Sequence, residues 1–129
     1  MACDTTIFLV DDDAAVRDSL KLLLETHGLA VREFASAKEL LQGGMPGPTD
    51  CLVCDIHMPA MSGLDLVETL ARRGTTAPTI LITGRGDGML HRRARAAGAF
   101  LVLEKPFDGG VLIEAIDRAV AAHAAAMLQ

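Results

Sequence analysis

Cys51-Leu52-Val53-Cys54-Asp55-Ile56-His57-Met58-Pro59-Ala60-Met61-Ser62-Gly63 joins a continuous apolar run to one carboxylate and a loop containing proline and glycine. Apolar residues without polar alternation predict a strand over Cys51 to Cys54 that is buried on both faces, as a parallel strand between helical layers is. Beyond the loop, Leu64, Val67, Leu70 and Ala71 recur on one helical face, and Gly74 stops the helix. The same strand-then-helix unit repeats on either side. Upstream, a strand over Ile7 to Val10 leads to a helix from about Ala14 to His27, with Val16, Leu20, Leu23 and Leu24 on one face and Gly28 as its stop. A second strand covers about Ala30 to Phe34. Ser36 then caps a helix in which Glu39 completes a capping box, ending before Gly43-Gly44-Met45-Pro46-Gly47-Pro48. Downstream lie a strand over Thr79 to Ile82, a helix from about Gly88 to Ala97 and a strand over Phe100 to Leu103. Asp108 caps a last helix whose Leu112, Ile113, Ile116, Ala119 and Val120 face the sheet. Alternation of this kind predicts an α/β fold, a doubly wound five-stranded parallel sheet with helices on both faces.

With 129 residues the chain has room for one core, so residues 1–129 are expected to form a single domain. Ala121 to Gln129 is alanine-rich and reads as a frayed helix end or the start of a linker. No apolar run approaches the roughly 20 residues that cross a bilayer, and Met1-Ala2-Cys3-Asp4 does not open a secretory signal. A cytoplasmic protein without a membrane partner is expected. The formal net charge of −5 argues against direct nucleic-acid binding, which works through counterion release from basic surfaces. Three cysteines, an odd number, suit a reducing compartment. Cys51 and Cys54 spell C-x-x-C, but their spacing along a strand sends them to opposite faces, so they read as ordinary thiols and not as a redox or zinc pair.

The chemistry gathers where the strands end. Asp11, Asp12 and Asp13 follow the first strand, Asp55 the third, Thr83 the fourth, and Lys105 comes shortly after the fifth. Open parallel sheets bind ligands at the carboxyl ends of their strands. Carboxylates ~5 Å apart repel by about 3 kcal/mol per pair at an effective dielectric of ~20, so a cation belongs among them. Magnesium accepts one or two carboxylates, keeps waters and uses phosphate oxygens as further ligands. Opposite such an ion and Lys105, Asp55 is placed to attack phosphorus and form an aspartyl-phosphate. Asp13 reads as the cap of the first helix.

Val10-Asp11-Asp12, Asp55-Ile56-His57-Met58-Pro59-Ala60-Met61-Ser62-Gly63, Ile82-Thr83-Gly84 and Glu104-Lys105-Pro106-Phe107 together resemble the receiver domains of two-component response regulators, most closely those of the FixJ type. The likeness covers almost the whole chain in order and spacing, and its D-x-x-M-P-x-M-S-G segment is highly specific. It implies the flavodoxin-like strand order 2-1-3-4-5. Carried over by position, Asp55 is the phosphoacceptor of a partner sensor histidine kinase. Mg²⁺ or Mn²⁺ is held by Asp12 directly, by Asp11 mainly through water, by Asp55 and by the backbone carbonyl of His57. Thr83 is the hydroxyl that turns toward the phosphoryl group, and Lys105 the amine that pairs with it. The resemblance also implies a cis Lys105-Pro106 bond, a homodimer on phosphorylation through the side made by the fourth helix, fifth strand and fifth helix, and a transcriptional output carried by another domain. The basic face of Arg92, Arg93 and Arg95, with Arg85 nearby, lies on that side. A free-standing receiver acting by protein contact is the alternative. Either way the chain catalyses only its own phosphorylation and dephosphorylation. It departs from the family at Val102, where relatives place an aromatic that rotates inward; Phe100 is expected on the same strand face.

Three other readings compete. A haloacid dehalogenase-like phosphatase would use D-x-D after the first strand, but expects a hydroxyl where this chain has Ala15. A flavodoxin-like electron carrier would meet three aspartates where a flavin phosphate binds, and the chain has no Trp or Tyr to stack on the ring. A degenerate receiver that signals without phosphate would have no need of the complete residue set. The remaining histidines, His27, His91 and His123, read as surface or helix-end residues. His57 is expected to act only through its backbone, and Met58 and Met61 as packing.

Overall fold

The computed structural model describes residues 5–86 and 88–128; Cys3 and Gln129, on which expectations above rest, lie outside the described residues. The elements run β1 (Thr6–Val10), α1 (Ala14–Thr26), β2 (Ala30–Phe34), α2 (Ala37–Gly43), β3 (Cys51–Asp55), α3 (Gly63–Arg72), β4 (Thr79–Thr83), α4 (Gly88–Ala97), β5 (Leu101–Glu104) and α5 (Gly109–Met127). All the strand pairs are parallel and the order is β2-β1-β3-β4-β5, as the resemblance implies.

Strand alternation divides the core in two. Phe8, Val10, Leu52, Cys54 and Leu81 point to the layer of α2, α3 and α4, where they meet Leu40, Leu64, Leu66, Val67, Leu70 and Ala94. Ile7, Leu9, Cys51, Val53, Ile80 and Ile82 point the other way, against Leu24 of α1 and Leu112, Ala115, Ile116 and Ala119 of α5. β3 and β4 are buried at every position, so they carry no polar alternation. Cys51 and Cys54 fall on opposite faces as free thiols, as their spacing predicts. Burial pushes the Cys51 thiol up to about 12 and the Cys54 thiol well above its ordinary range.

The helix starts are set by side chains. Asp13 caps α1 by accepting from Ala15 N and Val16 N, and Asp108 caps α5 by accepting from Gly110 N. Ser36 caps α2 through Glu39 N, but the Glu39 carboxylate accepts from Ala35 N, one residue before the position a closed capping box uses. The closed box belongs to α3, where Ser62 and Asp65 each accept from the other's backbone N–H.

Two further details of the sequence reading need correction. The buried stripe of α3 includes Leu66, while Ala71 is exposed, because the helix lies on the sheet along its 63-66-67-70 edge. β5 begins at Leu101, and Phe100 precedes it. Phe100 packs against the α1/α5 side, whereas Val102 is buried on the α2/α3/α4 side with Leu81, Ala94 and Ala99. The two therefore do not share a face, since Phe100 belongs to the turn leading into the strand.

Candidate functional site

Four strand ends meet at one edge. β1 delivers Asp11 and Asp12, β3 ends on Asp55, β4 ends on Thr83, and Lys105 follows β5. One carboxylate oxygen from each of Asp11, Asp12 and Asp55 lies within 4.8 Å of the others. Asp11 and Asp55 are buried and Asp12 is exposed, so the acidic cluster opens to solvent on the Asp12 side. A cleft of about 470 Å³ continues from it, lined by Asp55, His57, Gly84, Arg85 and Lys105. The site residues read from the sequence thus converge, with the single lysine of the group on the cleft wall beside the Asp55 carboxylate.

Electrostatics at this edge favours a cation. Burial holds the Asp55 carboxyl above the usual carboxylate range; Lys105 and the His57 N–H oppose this, and Asp12 adds to it. Asp11 is raised chiefly by burial as well, with the Asp13 N–H opposing and the Asp55 charge adding. Asp11 is anchored: its Oδ1 accepts from Asp13 N at 2.8 Å, and its backbone oxygen accepts from the Arg17 guanidinium at 2.7 Å. A dication among these oxygens would neutralise charge that burial makes costly, and an all-oxygen donor set suits Mg²⁺.

The loop after β3 turns back tightly beside Asp55. Ile56 N donates to Ile82 O and Gly63 N to Ile56 O, so the chain leaves the sheet and returns on itself within a few residues. Ala60 takes φ 68°, the left-handed turn conformation. Gly63 is packed so closely that a Cβ there would sit 2.6 Å from the Asp55 backbone oxygen. Met58 and Met61 pack against the core below, as expected of packing residues. The Lys105-Pro106 bond is cis.

Thr83 is fully buried, and its hydroxyl accepts from Arg85 N at 3.0 Å. The same oxygen lies 2.9 Å from His57 Nε2. The His57 ring therefore makes a contact of its own, beside the backbone carbonyl through which the sequence reading expected the residue to act. In parallel register Asp55 pairs with Ile82, which places the residues just past each on facing loops, and that register is a property of the folded sheet. Nothing in periodicity reports a loop side chain's direction, so the contact was missed.

A family model described as the response regulator receiver domain matches residues 7–117. The chain belongs to that family. Among curated relatives, this receiver is 44% identical to the transcriptional regulatory protein FixJ of Azorhizobium caulinodans over 85% of its own length and 52% of that protein's. It is 40% identical to the transcriptional regulatory protein TdiR of Thauera aromatica, over 91% of its length and 52% of that protein's. The receiver thus spans about half the length of these relatives. Among solved structures, that of FixJ-N superposes with a TM-score of 0.82 at 40% identity, covering 92% of this chain and 94% of that one. Among the described residues, no helix of the receiver is long and apolar enough to cross a membrane.

Proposed function

We propose that this receiver accepts a phosphoryl group on Asp55 from the phosphohistidine of a sensor histidine kinase. The observation that carries the reading is the meeting of three acidic side chains within 4.8 Å, with Lys105 lining the cleft that opens beside Asp55. An Asp55 carboxylate oxygen forms the new bond to phosphorus as the bond from phosphorus to the kinase imidazole breaks. The departing nitrogen keeps the electron pair, and the product is an acyl phosphate. Lys105 pairs with the phosphoryl oxygens, and Thr83 turns its hydroxyl toward them. Asp11, Asp12, Asp55 and the His57 backbone carbonyl are the groups that would hold Mg²⁺ or Mn²⁺. That ion, when bound, neutralises charge on the transferring oxygens.

The added charge of roughly −1.5 to −2 biases the loops after β3 and β4 and the α4 that follows. The resemblance to other receivers supports the α4/β5/α5 side, on which Arg92, Arg93 and Arg95 of α4 are exposed, as the homodimer face. Output through transcription is supported by the two relatives, both transcriptional regulatory proteins about twice as long as this chain. In that arrangement residues 1–129 act as one cytoplasmic receiver domain that leaves nucleic acid to another domain and turns over no external substrate.

The test is labelling by acetyl phosphate. Wild-type protein is expected to take up phosphate only with Mg²⁺, and Asp55→Asn to take up none while keeping its circular dichroism spectrum. Labelling of Asp55→Asn at the wild-type level would overturn the assignment.

A further inference from the structure

His57 stands two residues past Asp55, and although the residue is exposed, its ring turns back into the cleft toward a fully buried partner. Its Nε2 meets Thr83 Oγ1 at 2.9 Å, while Arg85 N donates to the same oxygen at 3.0 Å. A hydroxyl has one proton and two lone pairs. The Arg85 amide occupies one lone pair. The imidazole nitrogen then either donates into the other or accepts the proton, according to tautomer. In both cases the Thr83 hydroxyl is held between the loop after β3 and the loop after β4.

We infer that the His57 imidazole is a catch on Thr83: it holds the hydroxyl in its resting position, and the turn of Thr83 toward a phosphoryl group on Asp55 must break this hydrogen bond. The inference rests on the reading of Asp55 as phosphoacceptor and Thr83 as the moving hydroxyl. It makes His57 a positioning residue with two separate duties, a carbonyl toward the metal and a ring toward Thr83. A bond that exists only in the resting state lowers the population of the switched state, and so weakens every ligand that requires it.

Beryllofluoride with saturating Mg²⁺ is the probe, because it mimics the acyl phosphate without being consumed. His57→Ala keeps the backbone carbonyl and is expected to bind beryllofluoride about 2- to 10-fold more tightly than wild type, the range one net hydrogen bond allows. The melting temperature should stay close to wild type. His57→Gln, whose amide can reach a similar position, should return the affinity toward wild type. In a Thr83→Ala background, adding His57→Ala should change nothing, since the catch then has nothing to hold.

Unchanged or weaker binding by His57→Ala overturns the catch, as does tightening that persists without the Thr83 hydroxyl. His57→Gln behaving like His57→Ala would likewise rule out hydrogen bonding as the cause. Failure of wild-type protein to bind beryllofluoride at all is a separate result, which would remove the phosphoacceptor reading together with the catch.

Discussion

Gly63 is the residue whose loss would be felt most directly at the site. A methyl group there would lie 2.6 Å from the Asp55 backbone oxygen and 2.9 Å from Ile56 Cα, both backbone atoms that cannot swing aside. Gly63→Ala is therefore expected to cost roughly 1–3 kcal/mol, the usual penalty of overpacking, and to weaken Mg²⁺ binding because the strain falls on the end of β3. Urea midpoints and a Mg²⁺ titration check both. The thiols behave oppositely, being well hidden from reagents. With both described cysteines buried and the Cys51 thiol pushed up to about 12, a Cys3→Ser protein should not react with a thiol-exchange reagent at pH 8 until it is unfolded. Rapid reaction of the native protein would show that β3 opens locally.

At the scale of elements, helix starts carry much of the local information. Ser62 and Asp65 close a reciprocal box at the head of α3, each bond 3.1 Å long. Ser62→Ala should cost about 1 kcal/mol of stability. It should leave Mg²⁺ affinity within about twofold, because Gly63 keeps its own bond to Ile56 O. A thermal melt and the same titration separate the two effects. Asp13, Ser36 and Asp108 were legible as caps because a cap acts within its own first turn. Phe100 was not placed correctly, because strand parity misleads at a boundary: a residue just outside β5 has left the pleat and is steered by its turn. The missing aromatic at Val102 has a physical consequence at this scale. Val102 is buried with Leu81, Ala94 and Ala99, so β5 has no large ring there to swing, and any motion passed to α4 starts from Thr83 and its loop.

Across the whole molecule, the fold gathers negative charge at the carboxyl end of the sheet and leaves it to be neutralised from outside. Asp11 and Asp55 both have carboxyl pKa values raised above 3.8. The folded state then holds more protons than the unfolded chain once the pH passes that value, so this part of the stability falls as pH rises through the window between the unfolded and folded values. Asp11→Asn keeps an acceptor for Asp13 N–H and removes one charge. In chelator-treated protein it should melt a few degrees higher than wild type at pH 7. That advantage should shrink as the pH is lowered toward 4. Added Mg²⁺ should raise the wild-type melting temperature and raise that of Asp11→Asn less. Scanning calorimetry at several pH values checks the sign, and a variant that melts lower at pH 7 would contradict it.

The primary structure alone determined the alternation of strands and helices, the caps at Asp13, Ser36 and Asp108, the opposed faces of Cys51 and Cys54, and the set of Asp11, Asp12, Asp55, Thr83 and Lys105 at strand ends. All of these follow from periodicity and from chemistry within a few bonds of each residue. Tertiary structure decided the rest: the 4.8 Å cluster of acids, the backbone wall against which Gly63 lies, the side on which Phe100 packs, and the turn of the His57 ring onto Thr83. These depend on the distance between residues far apart in the chain. That distance is set by how neighbouring strands register and how loops leave them, and no local pattern of residues records it.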